Sequence, residues 1–262
     1  MHSELDKRMK RYEAISDIKL IRRMPVIIRI DGIAHHTFTR KFNKPFDSIY
    51  MNAMHETMKY LCENIQGCVL GYTQSDEITL VLVDYKRLET DAWFDNRVEK
   101  ICSAAASMAT MIFNREFTKI AKAFVDENED NDDLCNYCDV LIRAIDKGAM
   151  FDARCFNVPR EDVTNNLYWR QLDAIRNSIQ MVGQANFSSK ELHKKNLVKI
   201  LNMLSEERHI EWTDLPTIQR RGCCCVKKEI EGRSKWVIDK EIPLFRDDGR
   251  LYVDSKIYLE YT

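Results

Sequence analysis

Two short acidic motifs end strand-like segments, and they are the strongest candidates for chemistry in this chain. Asp31-Gly32 closes the β-branched run MPVIIRIDG, and Asp76-Glu77 lies between the apolar pieces CVLGYT and EITLVLV. Carboxylates are costly to bury unless cations or hydrogen bonds compensate their charge. If Asp31 and Asp76 meet at one edge of a sheet, they predict a site for hard divalent cations such as Mg²⁺.

A pair of Mg²⁺ ions ~3.5–4 Å apart would bridge such carboxylates and bind the attacking and leaving oxygens of a phosphoryl transfer. The carbonyl of Gly32 is a candidate third ligand, because glycine lets the backbone approach an ion closely. The alternative stays open that Asp31-Gly32 is a plain turn and Asp76-Glu77 a solvated hairpin tip, since Asp-Gly is a common turn dipeptide.

Donors suited to a triphosphate accompany the carboxylates. They fall near the predicted ends or faces of the same elements, and we expect them to converge on one edge of the sheet. Two of them are three positions apart on one predicted helix and therefore share a face. These donors are Arg29, His36, Lys44, Ser75 and the helical pair Arg97 and Lys100.

Composition places the chain among ordinary globular proteins. Hydrophobic residues make up 45% and charged residues 31%, and the formal net charge is −1, so affinity for nucleic acid must come from local basic patches. The sequence has no apolar run long enough for a membrane span and no signal peptide, which predicts a cytoplasmic protein. The nine cysteines predict reduced thiols, with a zinc site at Cys135 and Cys138 as the weaker alternative.

The order of elements predicts the fold class. Strands at 24–32, at CVLGYT, at EITLVLV and at 149–158 alternate with helices that follow Asp47 and Trp93. This order is that of an α+β, ferredoxin-like fold: an antiparallel sheet with helices on one face. Residues 1–158 form the predicted catalytic domain. Residues 159–262 are predicted to be a mainly helical region with a short β-hairpin around Glu231-Gly232, packed on the first domain as one unit.

Five motifs in order resemble the tRNA-His guanylyltransferase superfamily, the 3′–5′ nucleotide-adding polymerases. They are RIDG with His36, FNKPFD, QSDE, FDAR and YWRQLDA. The resemblance covers roughly residues 25–240. It implies a polymerase palm, two Mg²⁺ ions per active site and tRNA 5′ ends as substrates, with ATP, GTP and other NTPs as co-substrates.

The resemblance also assigns residues. Asp31, the Gly32 backbone and Asp76 match the metal ligands, and Glu77 occupies the neighbouring acidic position of the catalytic set. The remaining matches are nucleotide-binding positions, of which Arg29, Arg97 and Lys100 contact the triphosphate. The others are His36, Lys44, Asp47, Ser75, Asn177 and Lys195.

One departure from the family pattern bears on the substrate. Family members that act on tRNA-His carry HINNLYN after the WRQ motif, whereas this chain has IRNSIQM and keeps only Asn177 of that motif. Ile175 replaces the histidine. The chain therefore resembles more closely the Thg1-like proteins of bacteria and archaea, which implies templated repair of 5′-truncated tRNA. Addition of G−1 to tRNA-His is the alternative.

RNA phosphates require further basic groups. Two sets are candidates, one with i,i+4 spacing within 190–199 and one around 220–228. We expect a homotetramer by analogy with the family. Two other functions remain alternatives, a palm-type nucleotidyl cyclase and a non-catalytic RNA-binding protein. The candidate RNA contacts are Lys190, Lys194, Lys199, Arg220, Arg221, Lys227 and Lys228.

Overall fold

One antiparallel sheet organises the molecule. The structure is a computed structural model that describes residues 3–258. Within that range the strands are β1 (Val26–Gly32), β2 (Cys68–Gln74), β3 (Glu77–Leu82), β4 (Phe151–Asn157), β5 (Cys223–Ile230) and β6 (Arg233–Asp239). They form a six-stranded sheet in the order β4-β1-β3-β2-β5-β6, and every neighbouring pair is antiparallel.

Helices connect and cover these strands. In the described range they are α1 (Glu4–Glu13), α2 (His35–Phe38), α3 (Ser48–Asn64), α4 (Val98–Glu127), α5 (Cys135–Lys147), α6 (Arg160–Asn186), α7 (Ser189–Leu192), α8 (Leu197–Arg208), α9 (Thr217–Arg221) and α10 (Arg250–Ile257). Short 3-10 turns occupy Ala14–Ser16, Trp93–Asn96, Trp212–Asp214 and Asp247–Gly249. No helix in the part of the chain described here is both long and apolar enough to cross a bilayer.

The first four strands have the ferredoxin-like order 4-1-3-2, so the predicted fold class is confirmed. The two-residue turn between β2 and β3 produces the expected hairpin, with Gln74 paired to Glu77. Asp47 caps α3 as predicted, because its side chain accepts a hydrogen bond from the backbone N–H of Tyr50 at 2.9 Å.

The main core lies between the sheet and helices α3 and α4. Alternate residues of the central strands, Ile28, Ile30 and Leu80 among them, point into it and are fully buried. Small residues on α4, such as Ala105 and Ala109, let that helix approach the sheet closely. The predicted helix from Trp93 begins only at Val98, because the chain before it turns through left-handed backbone conformations.

The C-terminal region joins the same sheet rather than standing apart from it. Strand β5 pairs with β2, from Cys223 opposite Thr73 to Val226 opposite Leu70, so the sheet continues past residue 158. Helices α6 and α10 cover the face opposite α3 and α4 with a second apolar cluster that includes Leu167. Helix α6 thereby crosses the sheet toward the turn between β2 and β3.

Candidate active site

Asp31 and Asp76 lie at the same end of the sheet. Asp31 is the penultimate residue of β1 and stands opposite Glu77, the first residue of β3. Asp76 precedes Glu77 in the two-residue turn that closes the β2–β3 hairpin, where Ser75 has the left-handed φ of 50°. The fold therefore brings two carboxylates that are distant in sequence to neighbouring strand ends.

The surroundings of Asp31 and Asp76 raise the pKa of both carboxylates and so favour the neutral, protonated form. Burial raises the pKa of Asp31, and the charges of Asp76 and Asp152 raise it further. Burial also raises the pKa of Asp76, although hydrogen bonds from its own backbone and from Ser75 oppose the shift. A bound cation would relieve this repulsion.

The donor set fits Mg²⁺, an ion that one or two carboxylates hold together with water and phosphate oxygens. Within residues 3–258 no three His, Cys, Asp or Glu side chains form a closed metal cluster. Asp31 and Asp76 by themselves would leave coordination positions for water and phosphate oxygens, and Mg²⁺ at this pair stays a prediction.

Gly32 has a packing reason to be glycine. A Cβ at this position would lie 2.3 Å from Cγ of the His35 ring, which is closer than any real contact allows. The ring of His35 thus occupies the space that a side chain would need. The role of the Gly32 carbonyl as a metal ligand stays a prediction.

His35 is a residue that sequence reasoning missed. Its side chain is buried, 2% exposed, and its Nδ1 hydrogen-bonds the hydroxyl of Tyr50 at 2.8 Å. Burial lowers the pKa of His35 to about 4, so the ring is neutral near pH 7. No sequence signal separates His35 from the adjacent His36, because the helix that carries both is only four residues long.

A cavity of about 340 Å³ opens beside Asp76. Its walls come from the segment around α2, the start of α3, the hairpin turn, the middle of α6 and α9. Apolar residues such as Phe42 and Met181 alternate there with polar groups, an arrangement typical of small-molecule sites. The predicted residues that line it are His36, Lys44, Asp47, Ser75, Asp76, Asn177 and Arg221.

Asp47 shapes the cavity wall with oxygens that are already engaged. It accepts hydrogen bonds from the backbone N–H of Asn43 at 3.1 Å and of Tyr50 at 2.9 Å, and from the hydroxyl of Tyr137. The Asp47 carboxylate therefore holds the backbone in place at the start of α3. Its contact with a nucleotide stays a prediction.

Glu77 points away from the cavity and binds arginines. Its Oε1 accepts a hydrogen bond from Nε of Arg170 on α6 at 2.8 Å and lies 3.4 Å from Nε of Arg29. Arg170 belongs to the YWRQ motif. The sequence therefore pointed to this motif, but it did not predict that Arg170 binds Glu77. Burial lowers the pKa of Arg29, and the charge of Glu77 opposes that shift.

The expectation that Arg97 and Lys100 share the edge of Asp31 is wrong within one chain. Helix α4 starts at the opposite end of the sheet, where Arg97 donates to Asp17 at 2.6 Å. The helix reaches the Asp31 end only at Thr110, which bonds the backbone of Phe151. At 1.5 Å per residue, Lys100 lies about 15 Å from that point. Contact of both residues with a triphosphate stays a prediction.

The lysines of 190–199 are exposed but do not form helical i,i+4 pairs. Helix α7 ends at Leu192, Lys194 has a left-handed φ of 58°, and Asn196 caps α8 by accepting from the N–H of Lys199. Of these lysines, Lys190 therefore lies in α7, Lys194 and Lys195 lie in the segment between the two helices, and Lys199 lies in α8.

The second basic set is also divided. Arg220 and Arg221 lie on α9 at the cavity end, where the Nε of Arg221 donates to the carbonyl of Ile242 at 3.1 Å. Lys227 and Lys228 lie farther along β5 and point to opposite faces of the sheet, because side chains alternate along a strand. These four residues do not form the single cluster that was predicted.

Comparison with known proteins identifies the family. Residues 6–159, more than half of the chain, match the family model described as Thg1, tRNAHis guanylyltransferase. The chain belongs to this family. Members of the family are nucleotidyltransferases, and the predicted enzyme class is confirmed.

Individual relatives agree with this assignment. A bacterial tRNA(His) guanylyltransferase (Thg1)-like protein in complex with ATP is 41% identical, with a TM-score of 0.83 over 98% of this chain and 100% of that chain. A structure of a bacterial Thg1-like protein in complex with GTP is 39% identical with a TM-score of 0.76 at the same coverage. A probable tRNA(His) guanylyltransferase of Dictyostelium discoideum is 24% identical over 92% of this chain and 91% of that protein.

Proposed function

We propose that this family member adds nucleotides in the 3′–5′ direction to the 5′ end of truncated tRNA, using the opposite RNA strand as template. The observation that carries the proposal is the Asp31–Asp76 pair beside a cavity lined by His36, Lys44 and Asn177. ATP and GTP complexes of similar bacterial proteins support a nucleotide in that cavity. Watson–Crick pairing would select the incoming nucleotide, so the protein need not read bases.

The reaction has two displacements. A phosphate oxygen of the monophosphorylated RNA end attacks the α-phosphorus of ATP and expels pyrophosphate, leaving a 5′-adenylylated RNA. The 3′-hydroxyl of the incoming NTP then attacks the activated 5′-phosphorus and expels AMP. An RNA that begins with a 5′-triphosphate skips the first displacement and loses pyrophosphate in the second.

Asp31 and Asp76 would hold the Mg²⁺ ions, two per active site by our prediction. Bound there, Mg²⁺ would lower the pKa of the attacking hydroxyl and stabilise charge on the leaving phosphate. The side chain of Ser75 favours the charged form of the Asp76 carboxylate and so lowers its pKa against the effect of burial. Lys44 supplies positive charge at the cavity, and His36 supplies a ring N–H donor for phosphate oxygens.

Arg97 and Lys100 require a different geometry. Because they lie at the far end of the sheet from Asp31, they would reach a triphosphate only from another copy of the chain. This agrees with the homotetramer that we expect, and light scattering of the purified protein would measure it. Lys195 is exposed in the short segment between α7 and α8, two helices that both contact α6.

The choice of repair over strict G−1 addition rests on the middle of α6. Asn177 lines the cavity, whereas Ile175 packs with Phe46 against the small apolar cluster that holds α8. An apolar residue at that position provides no hydrogen bond to a tRNA feature. We therefore infer that the template, and not the identity of tRNA-His, determines the added nucleotide.

The experiment that tests this proposal uses a 5′-monophosphorylated tRNA lacking its first nucleotide, with ATP, Mg²⁺ and all four NTPs. Wild type should restore the templated nucleotide, as seen on a gel of 5′-labelled RNA. Asp31→Ala and Asp76→Ala should each lose at least about 1,000-fold in rate, which corresponds to about 4 kcal/mol of transition-state stabilisation. Asp139→Ala, an exposed carboxylate on α5, is the matched control and should retain the wild-type rate.

Other outcomes would overturn the proposal. Addition of G only to tRNA-His would indicate the guanylyltransferase activity named for the curated relatives. A cyclic product from NTPs without RNA would indicate a cyclase. RNA binding that persists in Asp76→Ala, with no extension by wild type from either a monophosphate or a triphosphate end, would indicate a non-catalytic RNA-binding protein.

Metal binding can be tested without activity. Mg²⁺ should raise the thermal midpoint of wild-type protein, because it neutralises two carboxylates that repel each other. The shift should be lost in the Asp31→Asn/Asp76→Asn double variant and kept in Asp139→Asn. An equal shift in all three proteins would contradict a cation at Asp31 and Asp76.

A further inference from the structure

An exposed tryptophan lies beside the site and outside the cavity. Trp169 on α6 is 54% exposed, although it is among the largest apolar side chains. The guanidinium carbon of Arg29 lies 5.1 Å from its ring centroid, and that of Arg170 lies 4.6 Å away. Two cations at these distances hold the ring by cation–π attraction.

The two guanidinium groups that contact this ring share one buried partner. Both approach the same Oε1 of Glu77, so they lie next to each other. Their side chains are only 10% and 11% exposed, which places them beneath the surface. Arg29 and Arg170 therefore hold Trp169 from its buried side, and the exposed 54% of this residue is an aromatic surface that faces solvent.

The surroundings of the ring favour a nucleotide chain over a lone apolar ligand. Arg154 on the edge strand β4 stands opposite Arg29, and its side chain is 58% exposed. Asp31 follows Arg29 by two residues on the same face of β1, about 7 Å along the strand. An aromatic platform next to an exposed cation is the combination that binds single-stranded nucleic acid, because bases stack and phosphates pair with charge.

We propose that the outer face of Trp169 is a stacking site for the terminal base of an RNA end, with Arg154 as the neighbouring phosphate contact. The inference rests on the proposed function, which places the 5′-phosphate at Asp31. The cavity is lined by other residues and receives the nucleoside triphosphate, so the base at Trp169 belongs to the RNA. This site positions the RNA end and takes no part in bond making.

The test measures RNA affinity by fluorescence anisotropy, without NTP or metal. Two RNA stems with a template overhang are compared, one intact and one with an abasic 5′-terminal nucleotide. Wild type should bind the abasic stem about 5- to 150-fold more weakly, the range expected for one base stacked on an aromatic ring. Trp169→Leu should bind both stems equally, and Trp169→Phe should recover part of the discrimination.

Trp236→Leu is the matched control. Trp236 on β6 also pairs with a cation, Lys227 at 5.2 Å from the ring centroid, but lies on a different part of the sheet. This variant should keep the wild-type discrimination. Thermal melts should show that Trp169→Leu and Trp169→Phe both remain folded. A loss of discrimination in Trp169→Leu that Trp169→Phe partly restores then reports on the aromatic ring.

The possible failures are distinguishable. Equal binding of the two stems by wild type would overturn the stacking site while templated addition could still be observed. A rise in the KM for ATP alone in Trp169→Leu would show that the ring serves the triphosphate, and would overturn the inference too. Discrimination without any nucleotide addition would instead overturn the proposed function alone.

Discussion

The two faces of the central sheet differ in what they bury. On the side of α3 and α4, alternate residues such as Ile28, Ile30 and Leu80 form a continuous apolar core. On the side of α6, the same strands carry Arg29 and Glu77 in the half that lies near the site. Because side chains alternate along each strand, the face toward α3 and α4 is apolar, whereas half of the face toward α6 carries buried charged groups.

The comparison indicates which face of the sheet is more sensitive to substitution. An apolar core loses free energy in proportion to the atoms removed, whereas a buried ion cluster fails when any one partner is neutralised. Glu77 is the only acidic residue in direct contact with both Arg29 and Arg170 among the contacts described for residues 3–258. The region of Arg29, Glu77 and Arg170 should therefore tolerate conservative substitutions less well than the apolar core does.

The largest effect on stability is expected for Glu77→Gln. It keeps the side-chain volume but leaves two buried guanidinium groups without their shared carboxylate, which should cost about 3–5 kcal/mol. Urea unfolding would measure the loss. Asp139→Asn, at an exposed ion pair, should change stability by less than about 1 kcal/mol. If the two variants were equally stable, the contrast between the faces would be unfounded.

Leu80→Ala tests the apolar face. Leu80 is fully buried between the sheet and the α3–α4 layer, and its truncation should cost about 2–5 kcal/mol, as is typical of core leucines. The rate of nucleotide addition below the melting temperature should stay near wild type, because no site residue loses a contact. A loss of activity in folded Leu80→Ala protein would show that the two faces are coupled.

Acid should weaken the α3–α4 side through two buried histidines. Burial lowers the pKa of His35 and of His55 to about 4, below the ordinary value of 6.5. Their contribution is therefore fully present above pH 6.5 and is lost as pH falls toward 4, by up to roughly 3 kcal/mol each. His55→Leu should flatten the fall in thermal midpoint between pH 6.5 and 4. The exposed His193→Gln should leave the fall unchanged.

The smallest effect is expected outside both buried layers. Lys228 pairs with Asp239 at 3.1 Å on the surface, so Lys228→Ala should cost less than about 1 kcal/mol. If Lys228 contacts RNA phosphate as predicted, the slope of log affinity against log salt should fall by about one. Filter binding over a salt series would measure it. An unchanged slope would remove Lys228 from the RNA contacts.

Local pattern sufficed for much of the fold. The β-branched run before Asp31, the short break between β2 and β3, and the cap at Asp47 are each encoded within a few residues, and each was predicted. The extension of the sheet by β5 was not, because pairing with β2 joins segments roughly 150 residues apart and leaves no local trace. The same holds for Glu77, whose partner Arg170 lies 93 positions away.

The sequence by itself determined the family, the arrangement of the first four strands and the candidate acidic residues, because apolar periodicity and ordered motifs can be recognised along the chain. Only the tertiary structure decided which charges meet. Arg97 and Lys100 have the right chemistry for a triphosphate, yet the direction in which α4 crosses the sheet places them at its far end. The contacts of His35 with Tyr50 and of Trp169 with Arg29 also depend on the tertiary structure. The partners of a side chain are set by how separate elements pack, and the spacing of residues along the chain does not specify that packing.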